Sequence, residues 1–291
     1  MEIVTASSQN AAHLYLATLT ATSRKSIRCQ LRSVARRLSG SDSIHAFPWH
    51  AIDRPTTLAI IEHLRREGKA PASINHTLTA IRKVVDEAYH LGQMDRRQYE
   101  GVMRVPRDKG RRQRTAAPPS RAEVRRAIDS RLADNTLRAL RDATLISVMA
   151  GGGLRKAEAL QCRTDDYQGG KLRIIGKGNQ EAHQPLIPAA RNLIEMYLEE
   201  LPPGWLFPAW QRNDTPSHRH LSPSGVDRVV ANALPGVTPH RLRHAYASWL
   251  AEDGHTLPVI QRLMRHSSPT LTMRYVHNDT AQQVAVEALS F

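Results

Sequence analysis

The stretch "HRLRHAYASW", residues 240–249, places two histidines and two arginines in its first five positions. Its composition and neighbours predict a helix. On that helix His240, Arg243 and His244 share a face, because residues three and four apart are neighbours on a helix surface. Such a face is compatible with three kinds of site: a metal site, a DNA-contacting surface, or a catalytic site for phosphate transfer.

The metal interpretation is disfavoured by the local charge. His240 and His244 have the spacing of a zinc-protease helix, but that motif needs a glutamate directly after the first histidine, and this chain has Arg241 there. Arg241 and Arg243 also carry permanent positive charges, which repel a cation. We therefore predict no metal site here and expect His244 to support the site rather than bind a ligand.

The phosphate interpretation gains weight from residues elsewhere in the chain. A guanidinium offers two parallel N–H donors to a phosphate, so His240 and Arg243 can address the same phosphate. His-x-x-Arg alone is weak evidence because it is common by chance. Its companions follow in sequence order: Arg155 after a glycine-rich helix end, Glu158 one turn later, Lys177 at a hairpin tip, then His266 and Tyr275.

Composition and charge narrow the class of protein. A chain of 291 residues with 41% hydrophobic content predicts two globular domains. We find no signal peptide and no apolar run of about 18 residues, and two distant cysteines suggest reduced thiols, so we expect a cytoplasmic protein. The net charge is +14, and the first 120 residues contain 20 Lys/Arg against 10 Asp/Glu. That excess indicates a phosphate-backbone partner.

The first hundred residues read as a small helical bundle. Apolar residues recur three and four apart over 10–20, 22–38, 56–67 and 72–91. Arginines every four residues on the second helix predict a basic stripe, with Ile27, Leu31, Val34 and Leu38 on the apolar face. The basic, proline-containing stretch 104–119 then lacks apolar periodicity and reads as a linker.

The second half mixes helices with a short hairpin. Ser120 and Glu123 form a capping box, and a helix over about 135–149 stops at the glycines of 151–153. The sequence "KLRIIGKGNQEAHQPLI" alternates around a Gly-Lys-Gly-Asn turn and predicts a β-hairpin. Further helices are expected near 189–200 and 223–233, from Thr238 and Pro239 to Gly254, and over 257–265 and 269–276.

Four boxes together resemble the tyrosine recombinase (phage integrase) family. In sequence order they are GGGLRKAEAL, GKGNQEAHQPL, HRLRHAYAS and LMRHSSPTLTMRY, spread over about residues 120–280. A weaker similarity in the first half lies in SINHTLTAIRKVVDEAYHLG. The family's common Thr-Gly-Leu-Arg reads Gly152-Gly153-Leu154-Arg155, and its common Leu-Gly-His reads Met264-Arg265-His266, so the turn before the last box is expected to differ.

The resemblance implies a fold and a domain division. We expect a mainly α chain with a small β-hairpin or sheet. It consists of a helical core-binding bundle over 1–105, a basic linker over 106–119 and an α+β catalytic domain with a C-terminal tail over 120–291.

The resemblance also implies a reaction and its residues. The enzyme is expected to cleave and rejoin DNA through a 3′-phosphotyrosyl intermediate without metal, ATP or another cofactor. By resemblance the catalytic set is Arg155, Glu158, Lys177, His240, Arg243, His266 and Tyr275.

The expected partners are double-stranded DNA, with target sites arranged as inverted repeats, and further copies of the chain. We predict DNA contacts from two helices of the bundle: Arg24, Arg28, Arg32, Asn75, His76 and Arg82. The apolar tail over 284–289 is expected to join subunits into a tetramer. Two alternatives stay open on sequence alone, a non-catalytic DNA-binding protein of the same fold and a type IB topoisomerase.

Overall fold

A computed structural model describes residues 10–110, 117–176 and 180–265. The chain divides into two compact units, Met1–Thr115 and Ala116–Phe291. The division falls within the stretch that the sequence predicts as a linker. Within the described ranges, none of the helices has the length and apolar character that crossing a bilayer requires.

The first unit is helical. Its helices are α1 Ala11–Ala17, α2 Ala21–Ser39, α3 Arg54–Arg66, α4 Pro71–His90 and α5 Arg96–Met103. Asp53 and Asp95 cap α3 and α5 by accepting backbone N–H groups in the first turn, and Gly40 ends α2 with a φ of 72°. The core forms between the apolar faces of these helices, with Leu31 and Ile81 fully buried.

Two details of the first unit differ from the prediction. Helix α5 was not predicted, because its polar sequence RRQYEGVM buries only Val102 and shows no apolar periodicity. Leu38, predicted on the apolar face of α2, is 39% exposed because it stands in the last turn, where the bundle no longer covers the helix.

The second unit surrounds a helical core with two small antiparallel sheets. Its helices are α6 Arg121–Leu132, α7 Leu137–Gly151, α8 Lys156–Gln161, α9 Pro188–Glu200, α10 Pro223–Ala233, α11 Pro239–Glu252 and α12 Leu257–Met264. Its strands are β1 Tyr167–Gln168, β2 Lys171–Ile175, β3 Glu181–Pro185, β4 Pro208–Trp210 and β5 Pro216–His220. The order is β1-β2-β3 in one sheet and β4-β5 in the other. The predicted fold class, mainly helical with a small β component, is confirmed.

Several predicted local features of the second unit are present. The capping box of Ser120 and Glu123 opens α6. The predicted hairpin is β2–β3, in which Leu172 pairs with Gln184. Thr238 stands at the N-cap position of α11, although its side chain makes no capping hydrogen bond. The β4–β5 pair was not predicted, because PAW and PSHRH contain prolines and lack a repeating apolar pattern.

The end of α7 falls in the predicted run of glycines. The helix ends at Gly151, and Gly152 is its C-cap residue. A side chain at Gly151 would overlap Ile187, so the glycine serves close packing of α7 on the start of α9. The chain leaves the helix one residue later and reaches a φ of +59° at Gly153.

Candidate active site

The site is built where two helices begin. Arg155 is the N-cap residue of α8, and its backbone N–H donates to Glu158 Oε2 at 2.7 Å. Glu158 therefore occupies the first turn, where the helix dipole favours a negative charge. His240 and Arg243 lie in the first turns of α11, which begins at Pro239. Arg155 therefore lies at the start of α8, and the His240–Arg243 pair lies at the start of α11.

Glu158 is a buried carboxylate surrounded by guanidinium groups. Its side chain is 3% exposed. Arg155 Nη1 lies 2.6 Å from Oε1, Arg265 Nη2 lies 2.7 Å from Oε2, and Arg243 Nη1 lies 3.9 Å from Oε2. Three positive charges and one negative charge leave an excess of two positive charges here. Such an excess suits an anionic ligand, since buried charges are stable only when they are compensated.

The Arg243 side chain is fixed by hydrogen bonds to backbone carbonyls. Its side chain is 3% exposed, and its guanidinium donates to the carbonyl oxygens of Gly153 and Met264. Gly153 must be glycine, because its φ is positive and a side chain there would overlap the ring of Tyr246. These contacts tie α11 to the segment before Arg155 and to the end of α12.

His240 and His244 interact directly. Their Nε2 atoms are 3.0 Å apart and the ring centroids are 4.4 Å apart at 75°. One of the two nitrogens must donate, so the proton on His240 is linked to that on His244. His240 is exposed, whereas Arg243, one turn later on the same helix, is buried. This arrangement is consistent with the supporting role expected for His244.

Tyr246 also lies against this cluster but is a poor nucleophile. It is 6% exposed and packs against Gly153. Burial raises the pKa of its phenol, although Arg265, a hydrogen bond with Gln184, and Arg243 oppose the effect. A phenol that is both covered and harder to ionise does not suit attack on a phosphate.

The pKa of Glu158 is lowered from its ordinary value by its cationic neighbours. Burial alone would raise this pKa, but Arg265, the backbone N–H of Arg155 and the Arg155 side chain outweigh it. A carboxyl with a depressed folded-state pKa stabilises the fold above its unfolded pKa of about 4.3, and that contribution is lost as pH falls through the folded pKa.

We therefore predict that Glu158→Gln destabilises the fold by about 3 kcal/mol at pH 7, since it leaves guanidinium groups without their anion. The estimate takes the low end of the usual range because Arg155 is 39% exposed and water screens it. Denaturant unfolding at pH 7 and at pH 3 measures the difference. The gap between wild type and variant should narrow at the lower pH, because the contribution of the carboxylate is lost only as pH falls through its depressed folded-state pKa. An equal gap at both pH values would contradict a charge-based role.

Three predicted catalytic residues, Lys177, His266 and Tyr275, lie outside the described residues. Lys177 lies between strands β2 and β3 in the sequence, and the described part of the chain stops at Arg265, directly before His266. Of the predicted set, the structure brings together Arg155, Glu158 and Arg243, with His240 on the same helix as Arg243. Among the described residues, no group of three or more metal-binding side chains is arranged to hold a metal ion.

In the first unit, some predicted DNA contacts are bonded internally. Arg24 donates to the carbonyls of Leu16 and Leu19 at the end of α1, at 2.8 and 2.9 Å. The Asn75 side chain exchanges two hydrogen bonds with the backbone of Asp108, at 2.9 and 2.8 Å.

Arg82 also bonds within the unit, donating to Met103 O at 2.9 Å. Arg28 and Arg32 are exposed, and His76 Nε2 lies 3.2 Å from Ser26 Oγ. The predicted DNA contacts Arg24, Arg28, Arg32, Asn75, His76 and Arg82 all stay proposals, since an internal hydrogen bond does not prevent a side chain from also contacting DNA.

Sequence analysis missed two members of the cluster. Arg265 was noted only as a departure near a turn, and Gln184 was not singled out. Gln184 is 2% exposed on β3 and accepts a hydrogen bond from Arg265 Nη1. A charged residue where glycine is common was the available signal, because such a side chain needs a compensating partner.

Comparisons with known proteins point to one family. A family model described as the phage integrase family matches residues 121–282, more than half of the chain. A tyrosine recombinase XerD of Caulobacter vibrioides is 30% identical over 249 residues, covering 78% of this chain and 78% of the relative. A XerD of Listeria innocua serovar 6a is 28% identical over 240 residues, with 78% of each chain covered. A crystal structure of a lambda integrase tetramer bound to a Holliday junction shares the fold, with a TM-score of 0.67 at 18% identity, over 90% of this chain and 74% of that one.

Proposed function

We propose a reaction for this chain on the basis of its family: it belongs to the phage integrase family and is a tyrosine-type site-specific DNA recombinase. The proposed reaction is the cutting and rejoining of DNA through a phosphotyrosine at Tyr275. The observation that carries this proposal is the cluster of Arg155 and Arg243 around buried Glu158. A phosphodiester would bring one negative charge to a site with an excess of positive charge. We further propose that the protein acts on double-stranded DNA in the cytoplasm, at sites arranged as inverted repeats.

The first step is an exchange of one phosphoester for another. The Tyr275 oxygen attacks phosphorus, the Tyr–O–P bond forms, and the bond from phosphorus to the 5′-oxygen breaks. Arg155 and Arg243 donate to the non-bridging oxygens and stabilise the charge that accumulates in the transition state. A second 5′-hydroxyl then attacks the 3′-phosphotyrosine and restores the tyrosine, so no energy-rich cofactor is consumed.

Protons move in opposite directions during cleavage. A tyrosine has an ordinary pKa of about 10, so attack requires a base. His240 accepts the phenol proton, and its contact with His244 at 3.0 Å supports that role by fixing the ring. Lys177 donates a proton to the leaving 5′-oxygen, and His266 donates a hydrogen bond to a phosphate oxygen.

We predict that Lys177→Ala slows strand cleavage by about 10²–10⁴-fold while DNA binding persists, since it removes only the general acid. A substrate with sulfur at the 5′ bridging position should recover most of the rate, because a thiolate leaves without protonation. Lys171→Ala serves as the matched control, since Lys171 is an exposed lysine on β2 of the same hairpin. Failure of the sulfur substrate to recover the rate would contradict the general-acid role.

We propose that copies of the chain assemble on DNA through the C-terminal tail. A groove of about 490 Å³ lies between α6, α7, α9 and α11 of the catalytic unit, and its apolar lining includes Val124, Ile128 and Trp249. Residues 266–291 follow the described part, and the stretch VAVEALSF within them carries apolar residues that match such a groove. Exposed Arg125 at the groove complements Glu287 of the tail. The proposed occupant is the tail of a second copy, which closes a ring of subunits.

We predict that Leu289→Asp abolishes assembly on DNA carrying two target sites but leaves cleavage of a single nicked site within about two-fold, since burying a carboxylate in an apolar groove is costly. Particle masses on two-site DNA measure the assembly. Ser290→Asp adds the same charge one residue later and is the matched control. Unchanged tetramer formation by Leu289→Asp would contradict this role of the tail.

A further inference from the structure

Arg265 has an unusual backbone conformation for an arginine. It ends helix α12 with φ 51° and ψ 47°, in the left-handed region. That helix-end position is typically occupied by glycine, because a side chain makes the conformation unfavourable. An arginine there needs compensating contacts, and its guanidinium has them.

The Arg265 side chain connects three separate parts of the catalytic unit. Its Nη2 lies 2.7 Å from Glu158 Oε2 on α8 and 3.4 Å from the carbonyl oxygen of Gly153. Its Nη1 donates to Gln184 Oε1 on β3 and to Leu263 O at 3.1 Å. Its own backbone carbonyl accepts a hydrogen bond of 3.1 Å from Arg155 Nη2.

These contacts join elements whose next residues belong to the proposed catalytic set. Gln184 is on β3, the strand that follows Lys177 in the sequence, and it pairs with Leu172 on β2. Arg265 directly precedes His266 in the chain and lies ten positions before Tyr275. Strand β3 and the last described residue before His266 are therefore both held on the pair formed by Arg155 and Glu158.

The geometry assigns Arg265 as a positioning residue that couples the Lys177 hairpin and the segment bearing His266 and Tyr275 to the Arg155–Glu158 pair. This inference rests on the proposed function. Through this coupling, the general acid Lys177 and the nucleophile Tyr275 are aligned with Arg155 at the phosphate.

Arg265 acts through other residues rather than on the phosphate. Its two terminal nitrogens bridge Glu158 on α8 and Gln184 on β3, so its guanidinium joins two elements of the site. Burial lowers its pKa and Glu158 opposes the change, but an arginine remains charged in proteins. A lysine there would keep the charge but present a single ammonium in place of the planar fork that spans Glu158 and Gln184.

The decisive variant is Arg265→Gly, which keeps the left-handed backbone and removes the guanidinium. We expect its rate of covalent adduct formation at saturating nicked DNA to fall by about 10²-fold, as for a misplacement of about 1 Å in a reacting group. Its Kd for the same DNA should stay within about two-fold. Arg265→Lys should recover less than half of the lost rate.

A second readout tests the coupling itself. If Arg265 aligns the Lys177 hairpin, a 5′ bridging sulfur substrate should recover about ten-fold of the lost rate in Arg265→Gly, while wild type gains little. Gln184→Ala breaks the other end of the link and should show the same partial recovery, so the inference stays testable if the glycine variant folds poorly. The double variant should be no slower than Arg265→Gly alone, because residues of one network are not additive. Arg262→Ala, an exposed arginine on α12, is the matched control.

Three outcomes would overturn the inference, and the first is cleavage by Arg265→Gly at the wild-type rate. The second is a variant in which the cleavage rate, the DNA affinity and the thermal stability all fall together. The third is that the sulfur substrate recovers no cleavage rate in either Arg265→Gly or Gln184→Ala. A wild-type chain that forms no adduct at all would instead contradict the proposed function.

Discussion

Tyr275→Phe is expected to abolish the covalent protein–DNA adduct on a nicked substrate while leaving DNA affinity unchanged. The substitution removes one oxygen, and that oxygen is the proposed nucleophile, so the remaining site has nothing to form the phosphotyrosyl bond. Adduct on denaturing gels should fall to background, and the Kd from a binding assay should stay within about two-fold because phosphate contacts carry most of the affinity.

Tyr197→Phe is the matched control for this experiment. Tyr197 is fully buried in the same unit, and its hydroxyl has no hydrogen-bond partner among the described residues. Removing that hydroxyl should leave cleavage unchanged. If Tyr275→Phe still forms adduct, the nucleophile is another residue and the assignment of the last box is wrong.

Arg243→Ala is expected to lower the cleavage rate by about 10²–10³-fold, the usual cost of removing one donor that stabilises a developing anion. The substitution also removes the hydrogen bonds that the Arg243 guanidinium donates to the carbonyls of Gly153 and Met264. Each loss of a buried partner costs about 1–3 kcal/mol, so thermal stability should fall as well. Single-turnover cleavage at saturating DNA, together with thermal unfolding, measures both effects.

Arg241→Ala separates the two effects. Arg241 is on the same helix and likewise donates to two backbone carbonyls, those of Gly236 and Ala117, but it does not belong to the cluster around Glu158. It should lose stability without a comparable loss of single-turnover rate. If both variants lose activity in proportion to their loss of stability, Arg243 has a structural role, and other residues bind the phosphate oxygens.

Much of the fold follows from local patterns in the sequence. Helices α2, α3 and α4 begin and end within two residues of their predicted bounds, because apolar spacing, prolines at helix starts and glycines at helix ends act locally. Helix α5 and the β4–β5 pair were missed, since their stability comes from tertiary contacts that leave little periodicity in eight or fewer residues.

The candidate site shows the same division between local and long-range information. Arg155, Glu158, His240 and Arg243 were identified by motif, and the structure brings the arginines together around Glu158. The Arg265 link to Gln184 joins residues 81 positions apart and follows no local rule. The internal hydrogen bonds of Asn75 and Arg82 were likewise not predicted, because helix periodicity shows which face a residue is on but not which backbone segment packs against it.

The residue that becomes attached to DNA identifies the nucleophile directly. Wild-type protein is incubated with a nicked suicide substrate in EDTA, digested with protease and nuclease, and analysed by tandem mass spectrometry. The account predicts a peptide that carries a 3′-linked nucleotide on Tyr275, formed without divalent metal. A nucleotide on another residue, or no adduct unless metal is supplied, would contradict it.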